Sequence, residues 1–125
     1  MAKILLIEDE KDLQEFYSSA LKEAGYDVDT ASDGDEGLNK ASLGGYGLIL
    51  LDIMLPKRDG LSILSALKSK PPKVANGPIV VLSNLSHEKA LKEAVDLGAK
   101  GFLIKTNFTP DELVAKVKSF ISPRQ

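Results

Sequence analysis

The sequence has 125 residues, enough for a single core and one domain of ordinary size. Its composition, 43% hydrophobic and 27% charged, is that of a soluble globular chain, and a formal charge of -2 gives no electrostatic case for holding nucleic acid or an anionic membrane over the whole surface. There is no cysteine, which excludes disulfides, thiol catalysis and thiolate metal sites and suits a reducing compartment.

Met1-Ala2-Lys3 runs directly into a strand-like segment without the apolar region of a signal peptide, and no stretch could span a bilayer. A cytoplasmic protein with no membrane contact is expected. Lys3 to Ile7 (KILLI) reads as a buried strand that stops at Glu8-Asp9-Glu10, where three consecutive acids are not expected to continue into a core. Leu13, Phe16, Tyr17, Ala20, Leu21 and Ala24 then recur at helical spacing, with Gly25 placed to end the helix. Tyr26 to Ala31 alternates Tyr26, Val28 and Thr30 against Asp27 and Asp29, a pattern that suits a strand near a sheet edge. Ser32-Asp33-Gly34 offers caps for a second helix through about Ser42, with Leu38 and Ala41 facing inward.

Gly44-Gly45 releases the chain into Ile49-Leu50-Leu51-Asp52-Ile53-Met54-Leu55-Pro56. Apolar residues without alternation predict a strand buried on both faces, with Asp52 emerging at the rim of a sheet. A carboxylate is expensive to hold there unless cationic company is supplied from elsewhere in the chain. Arg58-Asp59-Gly60 turns into a third helix built on Leu61, Leu64 and Leu67, and the Pro/Gly-rich stretch Ser69 to Pro78 reads as an exposed insertion. Ile79 to Leu82 is another apolar run, ending in Ser83-Asn84. Helix four follows with Ala90, Leu91, Ala94, Val95 and Leu97 and stops at Gly98, and His87, the only histidine, is expected as an exposed residue of its first turn. Gly101 to Ile104 is the last strand and ends on Lys105. Thr109-Pro110-Asp111-Glu112 then has the cap, first-turn proline and early acids of a helix start, and Leu113, Val114, Val117, Phe120 and Ile121 supply its apolar face.

Five strands alternating with five helices, without internal repeat or second domain, predict one α/β domain over residues 1–125, a parallel sheet covered on both faces. In such sheets polar side chains gather beyond the carboxyl ends of the strands, where strand order reverses. Four of the five strands end in residues with chemistry: Glu8 and Asp9, Asp52, Ser83, and Lys105. Singly, each has an ordinary explanation as a turn residue, a helix cap or a solvated lysine. Together, three carboxylates would raise one another's pKa unless a cation joined them, and magnesium, a hard cation content with few carboxylates and retained waters, is the natural candidate. Such a set suits phosphoryl transfer, with Asp52 as the carboxylate nucleophile, the metal and Lys105 offsetting charge on the phosphoryl oxygens, and Ser83 donating a hydrogen bond to one. The product would be an acyl phosphate, hydrolysable and therefore suited to a transient signal. A dianionic group at this rim would pull Ser83 and the start of helix four toward it and present a different face to partners.

From end to end the chain resembles a receiver domain of bacterial two-component response regulators. The resemblance is carried by Ile7-Glu8-Asp9, by Leu51-Asp52-Ile53-Met54-Leu55-Pro56 with Asp59-Gly60, by Val80-Val81-Leu82-Ser83, and by Gly98-Ala99-Lys100-Gly101-Phe102-Leu103-Ile104-Lys105. It implies a flavodoxin-like, doubly wound sheet of order 2-1-3-4-5 with five helices. It implies phosphorylation of Asp52 by a histidine kinase or histidine phosphotransfer domain, with Mg2+ held by Glu8, Asp9, Asp52 and the backbone carbonyl of Met54. Ser83 and Phe102 are implied as the switch pair, acting on the face of helix four, strand five and helix five toward a downstream target, an output domain or a phosphorylation-dependent homodimer. No direct nucleic-acid contact is expected of this chain.

Two positions depart from the family pattern. Thr106 follows Lys105 where proline is usual, and a cis non-proline bond costs several kcal/mol, so this loop is expected to differ. Asn84 is larger than the usual Ala or Gly and narrows access to the phosphoryl group. Met54 and Leu85 flank the route of an attacking water in relatives, and as both are apolar here, slow self-dephosphorylation is expected. A receiver-like docking module that is not phosphorylated would not need Glu8, Asp9, Asp52, Ser83 and Lys105 together. A haloacid dehalogenase-type phosphatase would want a second Asp where Met54 stands, and a flavin phosphate would be repelled by Glu8-Asp9-Glu10. The chain ends at Ser122-Pro123-Arg124-Gln125, which fits either a single-domain regulator or a receiver cut from a longer protein.

Overall fold

A computed structural model describes residues 3–83, 88–105 and 108–121. In chain order the elements are β1 (Lys3–Ile7), α1 (Lys11–Glu23), β2 (Asp27–Ala31), α2 (Gly34–Leu43), β3 (Leu48–Asp52), α3 (Gly60–Ser69), β4 (Ile79–Ser83), α4 (Glu88–Asp96), β5 (Gly101–Ile104) and α5 (Pro110–Ile121). The five strands are parallel and ordered β2-β1-β3-β4-β5, as the family resemblance implied. β2 is an edge strand, in line with its alternating sequence.

The pleat sorts the strand residues into two cores. Leu5, Ile7, Ile49, Leu51 and Val81 face Ala41 of α2, Ile63, Leu64 and Leu67 of α3, and Ala94 of α4. Ile4, Leu6, Leu48, Leu50, Val80, Leu82 and Leu103 face Tyr17, Ala20 and Leu21 of α1 and Leu113 and Val117 of α5. Unbroken apolar strands are therefore what a sheet with helices on both faces requires.

Helix starts are fixed by side chains. Asp33, rather than Ser32, caps α2 by accepting from Glu36 N–H at 2.9 Å, and Glu36 returns a bond from Ser32 N–H at 2.8 Å. Asp59 caps α3 through Ser62 N–H at 2.8 Å. Thr109 and Glu112 form a reciprocal capping pair at the head of α5, at 3.1 and 2.9 Å. Gly25 and Gly98 follow α1 and α4 with φ of 100° and 110°, a left-handed stop that glycine takes without strain.

Two expectations need correction. The stretch after α3 is largely exposed, as expected, but it is tethered rather than a free insertion. Asn76 donates to Ala41 O at 2.9 Å and accepts from Tyr46 N–H at 3.1 Å, while Gly77 N–H donates to Tyr46 O at 2.7 Å, so the loop is tied to the connection between α2 and β3. Val95 does not face the core. It is 53% exposed, and of the inward residues expected on α4 only Ala94 is fully buried.

Tyr46, buried just before β3, donates its hydroxyl to Asp29 Oδ2 at 2.8 Å, and Lys3 Nζ lies 3.3 Å from the same oxygen. The Tyr46 hydroxyl, with help from Lys3, holds the Asp29 carboxyl below its ordinary value of 3.8. A folded pKa below the unfolded one stabilises above the unfolded value and loses that contribution as pH falls through the folded one. Tyr46→Phe is expected to cost about 1 kcal/mol near neutral pH. The gap from the parent should narrow as urea unfolding is repeated below the ordinary Asp29 value.

Candidate functional site

The site follows from register. Ile7 of β1 pairs with Leu51 of β3, which puts Glu8 and Asp9, the first residues beyond β1, beside Asp52 at the end of β3. On the other side Asp52 pairs with Leu82, and Ser83 pairs with Ile104, so Ser83 and Lys105 come to the same rim. The rim lies where strand order reverses between β1 and β3, the position at which α/β sheets open a crevice.

Glu8 is 0% exposed and Asp52 2%, and Ser83 is also buried, whereas Asp9 is exposed. The acidic run was expected to leave the core at Glu8, and it leaves at Asp9 instead. Burial of Glu8 is possible because its carboxylate is engaged. Glu8 Oε2 accepts from Glu10 N–H at 3.0 Å, one of the donors left open at the start of α1. Lys105 Nζ lies 3.0 Å from Glu8 Oε1 and donates to Asp52 Oδ2 at 2.9 Å. Asp52 Oδ1 accepts from Met54 N–H at 3.0 Å. One ammonium thus serves two buried carboxylates.

The electrostatics follow the burial. Loss of hydration pushes the Glu8 carboxyl up to about 7, and the Asp52 charge adds to the rise, while Glu10 N–H and Lys105 pull it down. Burial alone would lower the Lys105 pKa, but its pairing with Asp52 and Glu8 outweighs this, and the net shift is upward. Tyr17 donates its hydroxyl to the backbone carbonyl of Lys105 at 2.9 Å, and burial, then the Glu8 charge, pushes its own pKa up to about 12.

Glu8, Asp9 and Asp52 each offer one oxygen, all within 4.8 Å of one another. Glu8 Oε1 is buried and ion-paired with the Lys105 ammonium at 3.0 Å, with no further partner among the described residues. An all-oxygen donor set with a buried acceptor to spare fits a hard divalent cation such as Mg2+.

The structure brings together Glu8, Asp9, Asp52, Ser83 and Lys105. Met54 follows at the mouth, its side chain 57% exposed. Phe102 sits on the edge strand β5, with β4 between it and β3, 49% exposed, in a hollow of about 220 Å³ shared with Glu88, Leu91, Lys92 and Val95. Asn84, Leu85, His87 and Thr106, and with Thr106 the bond after Lys105, lie outside the described residues.

Two residues that serve the site were not singled out from sequence. Gln14 donates to Glu8 O at 2.9 Å, Ala31 O at 3.3 Å and Ser32 Oγ at 3.2 Å, tying the ends of β1 and β2 to α1. Tyr17 was read only as part of the apolar face of α1. A hydroxyl on an inward aromatic was the available signal, because a buried tyrosine needs a polar partner.

Residues 4–118 match the family model of the response regulator receiver domain. The chain belongs to the response regulator receiver family. This receiver is 40% identical over 116 residues to the transcriptional regulatory protein DltR of Streptococcus agalactiae, an alignment covering 93% of this chain and 50% of that protein. It is 40% identical over 117 residues to the transcriptional regulatory protein HprR of Escherichia coli, covering 94% and 50%. The receiver spans about half the length of these curated relatives. Among solved structures, the receiver domain of the Francisella response regulator 1452 superposes with a TM-score of 0.82 at 30% identity, covering 97% of each chain. The Vibrio cholerae chemotaxis protein CheY4 gives 0.83 at 30% identity, covering 96% of this chain and 98% of that one. Family membership makes this receiver a signalling domain of two-component phosphorelays. No helix among the described residues is long and apolar enough to cross a membrane.

Replacing Lys105 by methionine keeps the bulk of the side chain but leaves two buried carboxylates without their cation. At pH 8 this is expected to cost about 3 kcal/mol. Urea unfolding in the presence of a chelator measures it.

Proposed function

We propose that Asp52 is the phosphoacceptor of this receiver. The reading rests on one observation: in a chain of this family, a buried aspartate at the rim of β3 shares an ammonium with Glu8 and lies within ligand distance of two further carboxylates. A carboxylate oxygen of Asp52 attacks the phosphorus of a phosphohistidine on a histidine kinase or histidine phosphotransfer domain. The P–N bond breaks, the imidazole leaves, and an acyl phosphate forms on Asp52. Glu8, Asp9, Asp52 and the backbone carbonyl of Met54 would hold Mg2+, which supplies positive charge to the phosphoryl oxygens.

The residues of the chain divide the remaining work. Lys105, already hydrogen-bonded to Asp52, neutralises charge that builds on the phosphoryl group as it arrives. Ser83, one strand over, donates its hydroxyl to a phosphoryl oxygen, and its movement is passed on to α4. Phe102 then changes rotamer in the hollow beside Leu91 and Val95. This exposes a different face of α4, β5 and α5 to a downstream protein target, an output domain or a second copy of the receiver. Without a hydroxyl, Phe102 reports the state of the site by packing alone. The domain is not an enzyme acting on a separate substrate. It assists its own phosphoryl transfer and hydrolysis. Residues 1–125 make up a single cytoplasmic receiver domain, acting either alone or within a longer protein, without direct nucleic-acid contact of its own.

Incubation with acetyl phosphate and Mg2+, followed by intact mass measurement, tests the site. The parent is expected to gain one phosphoryl group and Asp52→Ala none. A parent that gains nothing would favour a docking module of receiver fold, and an unchanged gain in the mutant would refute Asp52.

Met54 presents an exposed apolar side chain two residues after Asp52, and we assign it to the route of an attacking water. Met54→Asn is expected to shorten the phosphoryl lifetime, read as the decay of the phosphorylated mass after donor removal. A longer lifetime in the variant would count against this role.

A further inference from the structure

Tyr17 lies on the second turn of α1, 0% exposed, in the core shared by α1 and α5. Leucine or phenylalanine would fill that place without any polar group to satisfy. Its hydroxyl crosses 88 residues of sequence to donate to the carbonyl of Lys105 at 2.9 Å. Lys105 is therefore fixed at three points. Its N–H donates to Ser83 O at 2.9 Å, its carbonyl accepts from Tyr17, and its ammonium reaches Asp52.

The middle point matters because of where Lys105 sits. It follows β5, the edge strand, and its side chain must pass the end of β4 to reach β3 and β1. A lysine side chain has many rotamers, so the position of its ammonium is only as definite as the backbone that carries it. α1 is also the element that grips Glu8, through Glu10 N–H on one oxygen and through Gln14 on the backbone carbonyl. One helix thus sets both a carboxylate and the ammonium that faces it.

We propose that Tyr17 is a positioning residue for phosphoryl transfer, its buried hydroxyl anchoring the Lys105 backbone so that the ammonium is delivered to Asp52. The inference rests on the reading of Asp52 as phosphoacceptor, and it adds a residue on α1 to the phosphoryl-transfer machinery.

Tyr17→Phe keeps the ring and removes the donor, and Tyr17→Met serves as a second variant if the ring alone perturbs packing. Three measurements are made on the full chain. The first is the rate of phosphoryl uptake from acetyl phosphate at saturating Mg2+, in which a carboxylate oxygen of Asp52 takes the phosphoryl group and acetate leaves. It is expected to fall about three- to tenfold, the equivalent of one hydrogen bond. The second is Mg2+ affinity, expected to be unchanged because Tyr17 touches none of Glu8, Asp9 and Asp52. The third is the ammonium signal of Lys105 in NMR of isotope-labelled lysine, expected to be sharp in the parent and broadened in the variants. A loss of Mg2+ affinity matching the loss of rate would mean that the whole rim has loosened, and would overturn the positioning role. Persistence of the parent ammonium signal in the variants also overturns it. If the parent takes up no phosphoryl group, the phosphoacceptor reading fails, and the ammonium signal alone still decides whether Tyr17 holds Lys105.

Discussion

The rest of the structure depends on a single ammonium between two buried carboxylates. Glu8 and Asp52 are forced together by the pairing of β1 with β3, and two carboxylates buried side by side are costly without a cation. Lys105 answers that constraint from the far edge of the sheet. The arrangement is frugal: Glu8 Oε1 has no partner among the described residues besides that ammonium, and Asp9 adds a third carboxylate that the ammonium does not pair with. A site balanced in this way is ready for a second positive charge and, once that is present, for a group carrying negative charge.

The two cores make the site rigid on one side and adaptable on the other. Around Glu8 the backbone is held by Gln14, by Glu10 N–H and by the bond from Glu8 N–H to Ala31 O at 3.0 Å. Around Phe102 the packing is looser. Val95 and Phe102 are both about half exposed, and a hollow lies between them. Loosely packed apolar side chains can change rotamer without breaking a core, so this is the side on which a change of charge at the rim can be turned into a change of surface.

The fold was legible because buried parallel strands leave unbroken apolar runs, and KILLI, Leu48 to Leu51 and Ile79 to Leu82 are such runs. The convergence of Glu8, Asp9, Asp52, Ser83 and Lys105 was legible for a related reason, since a strand that is apolar throughout and ends in a charged residue announces which end of the sheet is polar. The burial of Glu8 was not legible, because within Glu8-Asp9-Glu10 nothing local distinguishes the one acid that meets a lysine 97 positions away from its neighbours. The exposure of Val95 escaped for the opposite reason: helical spacing marks a face but not how wide the contact beneath it is. Tyr17 and Gln14 were hidden by their own spacing, which fits the side of a helix, while their partners are backbone carbonyls that carry no sequence identity.

Asn76 has a consequence for how this chain can vary. A Pro/Gly-rich loop between a helix and a strand is ordinarily the place where residues can be added or lost at little cost, since closure entropy grows slowly with length. Here the amide of Asn76 spans Ala41 O and Tyr46 N–H, and the next residue bonds Tyr46 O before the chain enters β4. The stretch from Asn76 onward therefore acts as a gauge, setting where β4 begins against β3 and so, at the far end of that strand, how high Ser83 stands beside Asp52. A change of length between Asn76 and Ile79 would be transmitted along the strand to the opposite pole, whereas one between residues 70 and 73 would be absorbed on the outer side of the tie, before Ala75 O accepts from Gly45 N–H.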